Sequence, residues 1–336
     1  MTRSRDDLDP AARPYLDALA AVFPDLGGRV TDAAEARRLL AAGPAPTGAP
    51  PPVGAVADRT VPGPPGAPPV PVRIYRPDPA RHPGPRPTVV FCHGGGFVLC
   101  GIDSHDRTAR RLCRAAGAVV VSAGYRRAPE HRFPAAALDA HAVLRWAGDH
   151  IAGLGGDPAA LAVAGDSAGA NLAVAAQLLA ARHGGPPVAL QVLLYPMLSP
   201  DTAGASHHRY GRGGHYLTSA HVRWFWEQYL GPGGDPRDPL ATPSAAGPEA
   251  LGALAPAHLV LAGCDPLCDD GHAFARLLRA RGTSVTVDLH PGMFHGFLAL
   301  ADQLPSARRA LAAVGEVVAA TVRDRKNSGG SGGCAG

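Results

Sequence analysis

Short apolar runs alternate with amphipathic segments over most of the chain. The runs are PTVVFCH at 87–93, AVVVSAGY at 118–125, LAVAG at 161–165, ALQVLLY at 189–195, HLVLAG at 258–263 and SVTVDLH at 284–290. Between most of them lie segments such as DRTARRLCRAAG and AAALDAHAVLRWAGDHI, in which apolar residues recur at helical spacing. Buried strands separated by helices are typical of a mostly parallel sheet with helices on both faces. The pattern therefore predicts an α/β fold.

The N-terminal region and one internal segment depart from this alternation. Residues 10–42 show helical spacing, and the Pro/Gly-rich stretch after them predicts a linker that ends in an edge strand, VRIYRP at 72–77. Nearly sixty residues separate LLYPMLS from HLVLAG, which favours an inserted lid over a plain loop. We predict N-terminal cap helices and the start of a linker in 1–50, a first core part in 51–198, a cap insertion in 199–250, a second core part in 251–323 and a flexible tail in 324–336.

Composition and charge exclude several classes of protein. The 32 Lys and Arg residues are scattered among 28 acidic residues, so no basic stripe suggests a nucleic-acid partner. The start, MTRSRDDLDP, is charged, and no run approaches the roughly 18 apolar residues that a membrane span needs. Cys264 and Cys268 have no second Cys or His pair at ligand spacing, so we predict no metal site. We expect a cytoplasmic protein without stable membrane association, as a monomer or homodimer.

The five-residue pattern Gly-x-Ser-x-Gly occurs twice, as GDSAG at 165–169 and as GGSGG at 329–333. Only the first copy stands between a predicted strand, LAVAG, and a predicted helix, ANLAVAAQLLAA. A sharp turn from strand to helix holds a serine outward, and the helix N-terminus adds backbone donors beside its oxygen. We therefore predict that Ser167 is a nucleophile and that Ser331 is not.

A serine nucleophile needs a base to take its proton and a third group to orient that base. Asp265 follows the strand HLVLAG, and His295 lies in the loop after SVTVDLH. Active groups of parallel sheets gather at the carboxyl ends of strands, and the order Ser, Asp, His is the order expected of such a hydrolase sheet. We predict Asp265 as the acid and His295 as the base.

Other residues compete for these two roles. Asp269 and Asp270 lie a turn beyond Asp265, where acidic residues commonly begin a helix. Asp238 belongs to a second Asp-Pro-Leu that has no strand before it, and His290 closes the last strand itself. We favour Asp265 and His295 over these alternatives because both follow a strand end within reach of the serine.

The glycine loop after PTVVFCH, His93-Gly94-Gly95-Gly96-Phe97, can supply backbone donors for a developing negative oxygen. We predict an oxyanion hole made by Gly94, Gly95 and Ala168. The loop matches neither of the glycine-rich nucleotide-binding patterns, and we predict no cofactor.

The motifs HGGGF, GDSAG, DPL and HGF, together with YRRAPEHRFPAA at 125–136, follow one another between about residues 8 and 322. In these features the chain resembles the hormone-sensitive-lipase-like carboxylesterases, bacterial family IV of the α/β-hydrolase fold. The resemblance implies a core of about eight strands and a cap made from the N-terminal helices and the insertion after Tyr195. It also implies structural roles for His93, which orients the glycine loop, and Asp166, which fixes the turn at the serine.

The motifs and the resemblance together predict a serine carboxylesterase that hydrolyses small acyl esters of short to medium chain length. The same triad can also cleave an acetyl amide, so a small-molecule deacetylase or amidase is the alternative. A non-catalytic ligand receptor on the same fold is a more remote alternative, since such receptors lose the base and this chain retains His295. We expect substrate-binding side chains at Phe97, Tyr195, Trp224 and Phe225.

Overall fold

A computed structural model of the chain describes residues 7–44 and 48–328, with side chains described up to residue 322. Within these residues eight strands form one sheet: β1 Ala55–Val61, β2 Val70–Arg76, β3 Arg86–Cys92, β4 Val119–Ala123, β5 Gly156–Asp166, β6 Leu190–Leu194, β7 Ala257–Ala262 and β8 Val285–His290. The helices of the same residues are α1 Arg13–Val22, α2 Ala33–Ala41, α3 Asp106–Ala116, α4 Ala135–Asp149, α5 Ala168–His183, α6 Ala205–Tyr210, α7 Ser219–Leu230, α8 Pro248–Gly252, α9 Cys268–Arg279 and α10 Pro305–Ser328. Two short 3-10 helices span Pro243–Ala245 and Phe297–Leu300.

The sheet has the strand order β1-β2-β4-β3-β5-β6-β7-β8. β2 runs antiparallel to β1 and to β4, and all the other neighbouring pairs are parallel. The prediction of an α/β fold with a mostly parallel, eight-stranded sheet is confirmed. Because β3, β5, β7 and β8 run in one direction, their carboxyl ends lie along one edge of the sheet, where active groups gather in such folds.

Helices cover the sheet on both faces, as the strand β3 shows. Val90 and Cys92 pack in a cluster that includes residues of α4 and α5, whereas Val89 and Phe91 pack in a second cluster with residues of α3 and α10. Alternate side chains of a strand point to opposite faces, so a strand buried on both faces must be apolar throughout. Truncating a fully buried large side chain to alanine typically costs about 2–5 kcal/mol, and these layers hold the strand ends in place.

The edge strand of the sheet was predicted wrongly. The sequence indicated an edge strand at 72–77, but β2 lies inside the sheet and β1 lies at its edge. β1 comes from the stretch AVADRTV, which the sequence assigned to the linker, and only Val61 of it is buried. An antiparallel edge strand with exposed side chains on both faces has no apolar alternation by which it could be recognised.

Segments from two parts of the chain lie over the carboxyl edge of the sheet. One part contains α1 and the other contains α7 of the insertion that follows β6, and residues of both line the same cavity as Ser167. α7 begins where Thr218 accepts a hydrogen bond from the His221 amide at 3.1 Å. At the other end of the chain, α10 continues to Ser328, so residues 324–328 are helical where the sequence predicted a flexible tail. Residues 329–336, including Ser331, lie outside the described part of the chain.

Candidate active site

Ser167 lies in a sharp turn between β5 and α5. Its backbone has φ 55° and ψ −119°, a conformation that costs a non-glycine residue about 1–3 kcal/mol. A Cβ added at Gly165 would lie 2.3 Å from the carbonyl carbon of Gly169, and one added at Gly169 would lie 2.0 Å from the Cys92 carbonyl oxygen. Only glycine therefore fits at both ends of GDSAG, and the turn holds the serine at the carboxyl edge of the sheet.

The structure brings Ser167, Asp265 and His295 together in one hydrogen-bonded chain. His295 Nε2 lies 3.0 Å from Ser167 Oγ, and His295 Nδ1 lies 2.7 Å from Asp265 Oδ2. All three side chains are buried. An ionised carboxylate only accepts hydrogen bonds, so Asp265 keeps the proton of a neutral imidazole on Nδ1. Nε2 is then an acceptor that faces the serine hydroxyl, which is the arrangement needed to remove its proton.

The other candidates for acid and base lie elsewhere. Asp269 Oδ2 accepts a hydrogen bond from the Ser206 amide at 2.8 Å, and Asp238 Oδ1 accepts one from Leu240 within its own turn. Burial raises the pKa of Asp270 to about 8, which leaves this carboxyl group largely protonated near neutral pH. His290 Nε2 lies 3.0 Å from Asp288 Oδ2. None of these four side chains is hydrogen-bonded to Ser167 or His295 in the described part of the chain, whereas Asp265 and His295 form the chain to Ser167 Oγ.

The glycine loop after β3 lies beside the serine. Gly95 has φ 107°, and a Cβ added there would lie 2.5 Å from the Leu99 carbonyl oxygen, so the loop requires glycine at this position. In the part of the chain that the structure describes, the amides of Gly95 and Ala168 have no hydrogen-bond acceptor. The Gly94 amide, the third predicted donor, instead donates to Asp166 Oδ1 at 2.9 Å and is not free for an oxyanion.

His93 and Tyr125 support this loop from beneath. His93 Nδ1 lies 2.8 Å from the Gly94 carbonyl oxygen, and the Tyr125 hydroxyl donates to the His93 carbonyl oxygen at 2.7 Å. Burial lowers the pKa of His93 to about 3, so its imidazole is neutral near pH 7. A neutral, fully buried imidazole that contacts the loop backbone fits the structural role implied by the family resemblance.

A cavity of about 190 Å³ opens above Ser167. Tyr195 and Phe225, two of the four predicted substrate-binding residues, line it. The other two do not line it. Phe97 is fully buried and stacks on Tyr229 at 3.7 Å, and the Trp224 indole donates a hydrogen bond to the Thr31 carbonyl oxygen at 3.1 Å. Both side chains therefore pack in the interior.

Several apolar side chains of the cavity wall were not predicted from the sequence. They include Leu19 and Phe23 at the end of α1 and Tyr216 and Leu217 in the loop before α7. The rings of Phe23 and Tyr216 meet edge to face with their centroids 4.8 Å apart. Apolar residues in an amphipathic segment indicate burial, but they do not indicate which distant segment they contact.

Residues 7–44 and 48–328 contain neither a candidate metal centre nor a candidate membrane-spanning helix. This part of the chain has no cluster of His, Cys, Asp and Glu side chains that could hold a metal ion. Nor does it contain a helix of the length and apolarity needed to traverse a bilayer.

Comparison with known proteins identifies relatives of this chain that are named as esterases. Residues 89–299 match the family model described as the alpha/beta hydrolase fold. Carboxylesterase NlhH of Mycobacterium tuberculosis is 39% identical over 314 residues, which cover 92% of this chain and 94% of that protein. The ethyl acetate hydrolase of Pseudomonas putida is 39% identical over 259 residues, 74% of this chain and 78% of that protein.

Solved structures of esterases are similar over nearly the whole chain. A thermostable esterase from Pseudomonas putida ECU1011 has a TM-score of 0.85 at 31% identity, covering 94% of this chain and 97% of that chain. A hyperthermophilic esterase from the archaeon Pyrobaculum calidifontis has a TM-score of 0.82 at 35% identity, covering 94% and 99%. The chain belongs to the α/β-hydrolase fold family, within its hormone-sensitive-lipase-like group of carboxylic ester hydrolases.

Proposed function

We propose that this protein is a serine carboxylesterase that hydrolyses esters of short- to medium-chain acids through an acyl-enzyme on Ser167. The observation that carries the proposal is the continuous hydrogen-bonded chain from Ser167 through His295 to Asp265. Its two distances, 3.0 and 2.7 Å, lie within the range in which nucleophile, base and orienting acid act together.

In the first half of the reaction, His295 Nε2 takes the proton of the Ser167 hydroxyl while Oγ attacks the ester carbonyl carbon. The carbonyl oxygen becomes negative and accepts hydrogen bonds from the free amides of Gly95 and Ala168. Asp265 stabilises the imidazolium that forms. The intermediate then collapses, the bond to the alcohol oxygen breaks, and His295 returns its proton to that oxygen.

In the second half, water attacks the acyl-serine carbonyl and gives a proton to His295 Nε2. The same two amides stabilise the second tetrahedral intermediate. Collapse breaks the bond to Ser167 Oγ, which recovers its proton from His295, and the free acid leaves. Neither half requires a metal ion or a cofactor.

The size and lining of the cavity support a preference for small acyl groups. Drug-sized ligands usually occupy pockets of about 300–1,000 Å³, and the cavity above Ser167 measures about 190 Å³. Its wall is largely apolar, with Phe23, Leu217 and Phe225 facing the space above the serine. We expect butyrate-length esters to be hydrolysed faster than emulsions of long-chain triglycerides.

The test uses the two copies of Gly-x-Ser-x-Gly as a matched pair of variants. Ser167→Ala should lower kcat on a p-nitrophenyl butyrate substrate by about 10⁴- to 10⁶-fold, because it removes the nucleophile. Ser331→Ala, which changes the second copy, should retain the activity of the parent protein. A fluorophosphonate should add covalently to Ser167 and fail to add to Ser167→Ala.

Two results would contradict this proposal. Turnover by pure Ser167→Ala would exclude the serine as nucleophile, and tight binding of a small ligand without turnover or labelling would favour the receptor alternative. Rates on a matched acetyl ester and acetyl amide should favour the ester. A faster amide would assign the same three residues to a deacetylase.

A further inference from the structure

His105, a residue outside the predicted site, lies at the edge of the cavity above Ser167. It immediately precedes α3, and its ring lines the cavity together with Asp166 and Ser167. Its side chain is only 14% exposed. His105 therefore lines the same cavity as Ser167 without belonging to the hydrogen-bonded chain formed by Ser167, His295 and Asp265.

Both nitrogens of this ring have oxygen partners. His105 Nε2 lies 3.3 Å from Asp166 Oδ2, and His105 Nδ1 lies 3.0 Å from Ser104 Oγ. Ser104 is itself fixed, because its hydroxyl donates to the Gly101 carbonyl oxygen at 2.9 Å and accepts from the Gly101 amide at 3.0 Å. The orientation of the His105 ring is thus set by the turn that leads into α3.

Asp166 connects His105 to the glycine loop. His105 Nε2 lies 3.3 Å from both carboxylate oxygens of Asp166, and one of them, Oδ1, also accepts the hydrogen bond from the Gly94 amide at 2.9 Å. A Cβ added at Gly94 would lie 2.4 Å from Asp166 Oδ2, so the carboxylate packs directly against the loop backbone. The Gly94 amide is thus engaged by Asp166, whereas the next amide, that of Gly95, has no acceptor among the described residues.

The carboxylate of Asp166 depends on these partners for its charge. Burial by itself would raise the pKa of Asp166, but the nearby imidazole of His105 and the Gly94 amide hold that pKa below its ordinary value. A buried carboxylate that loses one partner pays a desolvation penalty and turns toward another donor or toward water. Removal of His105 would therefore disturb the contact between Asp166 and Gly94.

We propose that His105 is a positioning residue: it holds Asp166 in the orientation that fixes Gly94, and thereby keeps the Gly95 amide directed at the oxyanion. The inference rests on the proposed acyl transfer at Ser167. His105 itself exchanges no proton with the substrate. Its effect should appear in the transition state, where the oxyanion forms, and not in the binding of the ester.

The experiment is a double-mutant cycle on the full chain. His105→Ala should lower kcat on p-nitrophenyl butyrate by about 10- to 100-fold, less than the 10²- to 10³-fold typical for outright loss of an oxyanion donor. KM should stay within about twofold of the parent value. His105→Gln, whose amide can donate to Asp166, should recover most of kcat. In an Asp166→Asn background, His105→Ala should cause little further loss, because the two residues act through one contact.

Three results would overturn the proposal. They are an unchanged kcat in His105→Ala, losses that multiply in the double variant, and a His105→Gln protein no more active than His105→Ala. Ser104→Ala keeps His105 but removes its second partner, together with the two hydrogen bonds between Ser104 and Gly101, and should lower kcat several-fold. His150→Gln, which changes an exposed histidine far from the cavity, is the control and should leave kcat unchanged.

Fluorophosphonate labelling separates failure of this inference from failure of the proposed function. If Ser167 is the nucleophile, every variant that retains Ser167 should be labelled, with His105→Ala labelled more slowly than His150→Gln. If instead Ser167→Ala keeps its activity, the proposed function fails first. Melting temperatures of all variants distinguish a specific loss of kcat from unfolding.

Discussion

The floor and the wall of the cavity are held in place by different kinds of interaction. The floor, formed by Gly95, Ser167 and His295 with Asp265 behind them, is fixed by short hydrogen bonds and by backbone contacts that admit only glycine. Each of these four residues follows directly or closely on a strand of the sheet. Directional bonds on a rigid sheet define positions closely, as transition-state stabilisation requires.

The wall, formed by Leu19, Phe23, Tyr216, Leu217 and Phe225, is held mainly by apolar contact. Its parts come from α1 and from the insertion, almost two hundred residues apart in sequence. Such contacts are non-directional, so the wall can change in size without disturbing the geometry of the floor.

Polar contacts of one arginine connect α2, the helix that follows α1, to the core of the protein. Arg37 of α2 donates to the Val98 and Ala128 carbonyl oxygens at 2.8 and 2.7 Å, and it pairs with Glu130 at 2.7 Å. From this difference we expect the floor to determine the rate of ester hydrolysis and the wall to determine the selectivity between esters. Changes in the floor should lower kcat for every ester, whereas changes in the wall should alter the ratio of rates between esters.

The largest expected effect comes from the acid of the floor. Asp265→Asn should lower kcat by about 10⁴-fold, because an amide in place of the carboxylate favours the wrong imidazole tautomer. Asp238→Asn is a matched control, since Asp238 begins the other Asp-Pro-Leu and makes the same local bond to the amide two residues on, at 2.8 Å against 2.9 Å for Asp265. Steady-state kinetics on one short-chain ester compare the two. Equal activities would remove Asp265 from the mechanism.

A smaller effect is expected from the wall. Phe23→Ala should enlarge the cavity and raise the kcat/KM ratio of an octanoate ester to an acetate ester by about tenfold, the order of selectivity that small changes in an apolar pocket produce. Val22→Ala changes the neighbouring residue, which is 45% exposed, and should leave the ratio unchanged. Kinetics on an acyl-chain-length series of esters with both variants measures this ratio of kcat/KM values. A Phe23→Ala protein with the parent ratio would show that the wall does not limit acyl length.

The smallest effect is expected from the ion pair between Arg37 of α2 and Glu130. The hydrogen bond from Arg37 lowers the pKa of Glu130 to about 2 from the ordinary 4.5, so the ion pair stabilises the fold above roughly pH 4.5 and is lost as the pH falls toward 2. The Glu130 side chain is 52% exposed, and such pairs contribute about 0.2–1 kcal/mol. Glu130→Gln should lower the melting temperature by roughly 1–2 °C at pH 7 and make it less sensitive to acid.

Melting curves between pH 7 and pH 3 test this prediction. Glu35→Gln, a loss of one carboxylate within α2, is the control and should show the acid sensitivity of the parent protein. The contribution of the ion pair would be refuted if the parent and Glu130→Gln lost stability in parallel over this range. The kcat of Glu130→Gln at pH 7 should stay close to that of the parent, because the floor does not depend on Arg37.

Sequence patterns indicated candidate residues of the floor more directly than those of the wall, for a physical reason. A parallel strand buried on both faces must be apolar, and a strained turn such as the one at Ser167 admits few residue types. Both requirements produce local patterns in the sequence that can be recognised, and the prediction of the fold class is confirmed. The exposed edge strand β1 has no such pattern and was not predicted.

The order of most strands and helices, and the position of each candidate reactive residue after a strand, could be predicted from local sequence patterns. Long-range contacts in the folded chain establish which apolar side chains enclose the cavity, that Phe97 and Trp224 pack inside, and that Asp166 engages the Gly94 amide. Local patterns record which side chains must be buried, because burial follows the period of the strand or helix. They do not record which distant partner buries them, since apolar contact has no direction and depends on how the whole chain folds.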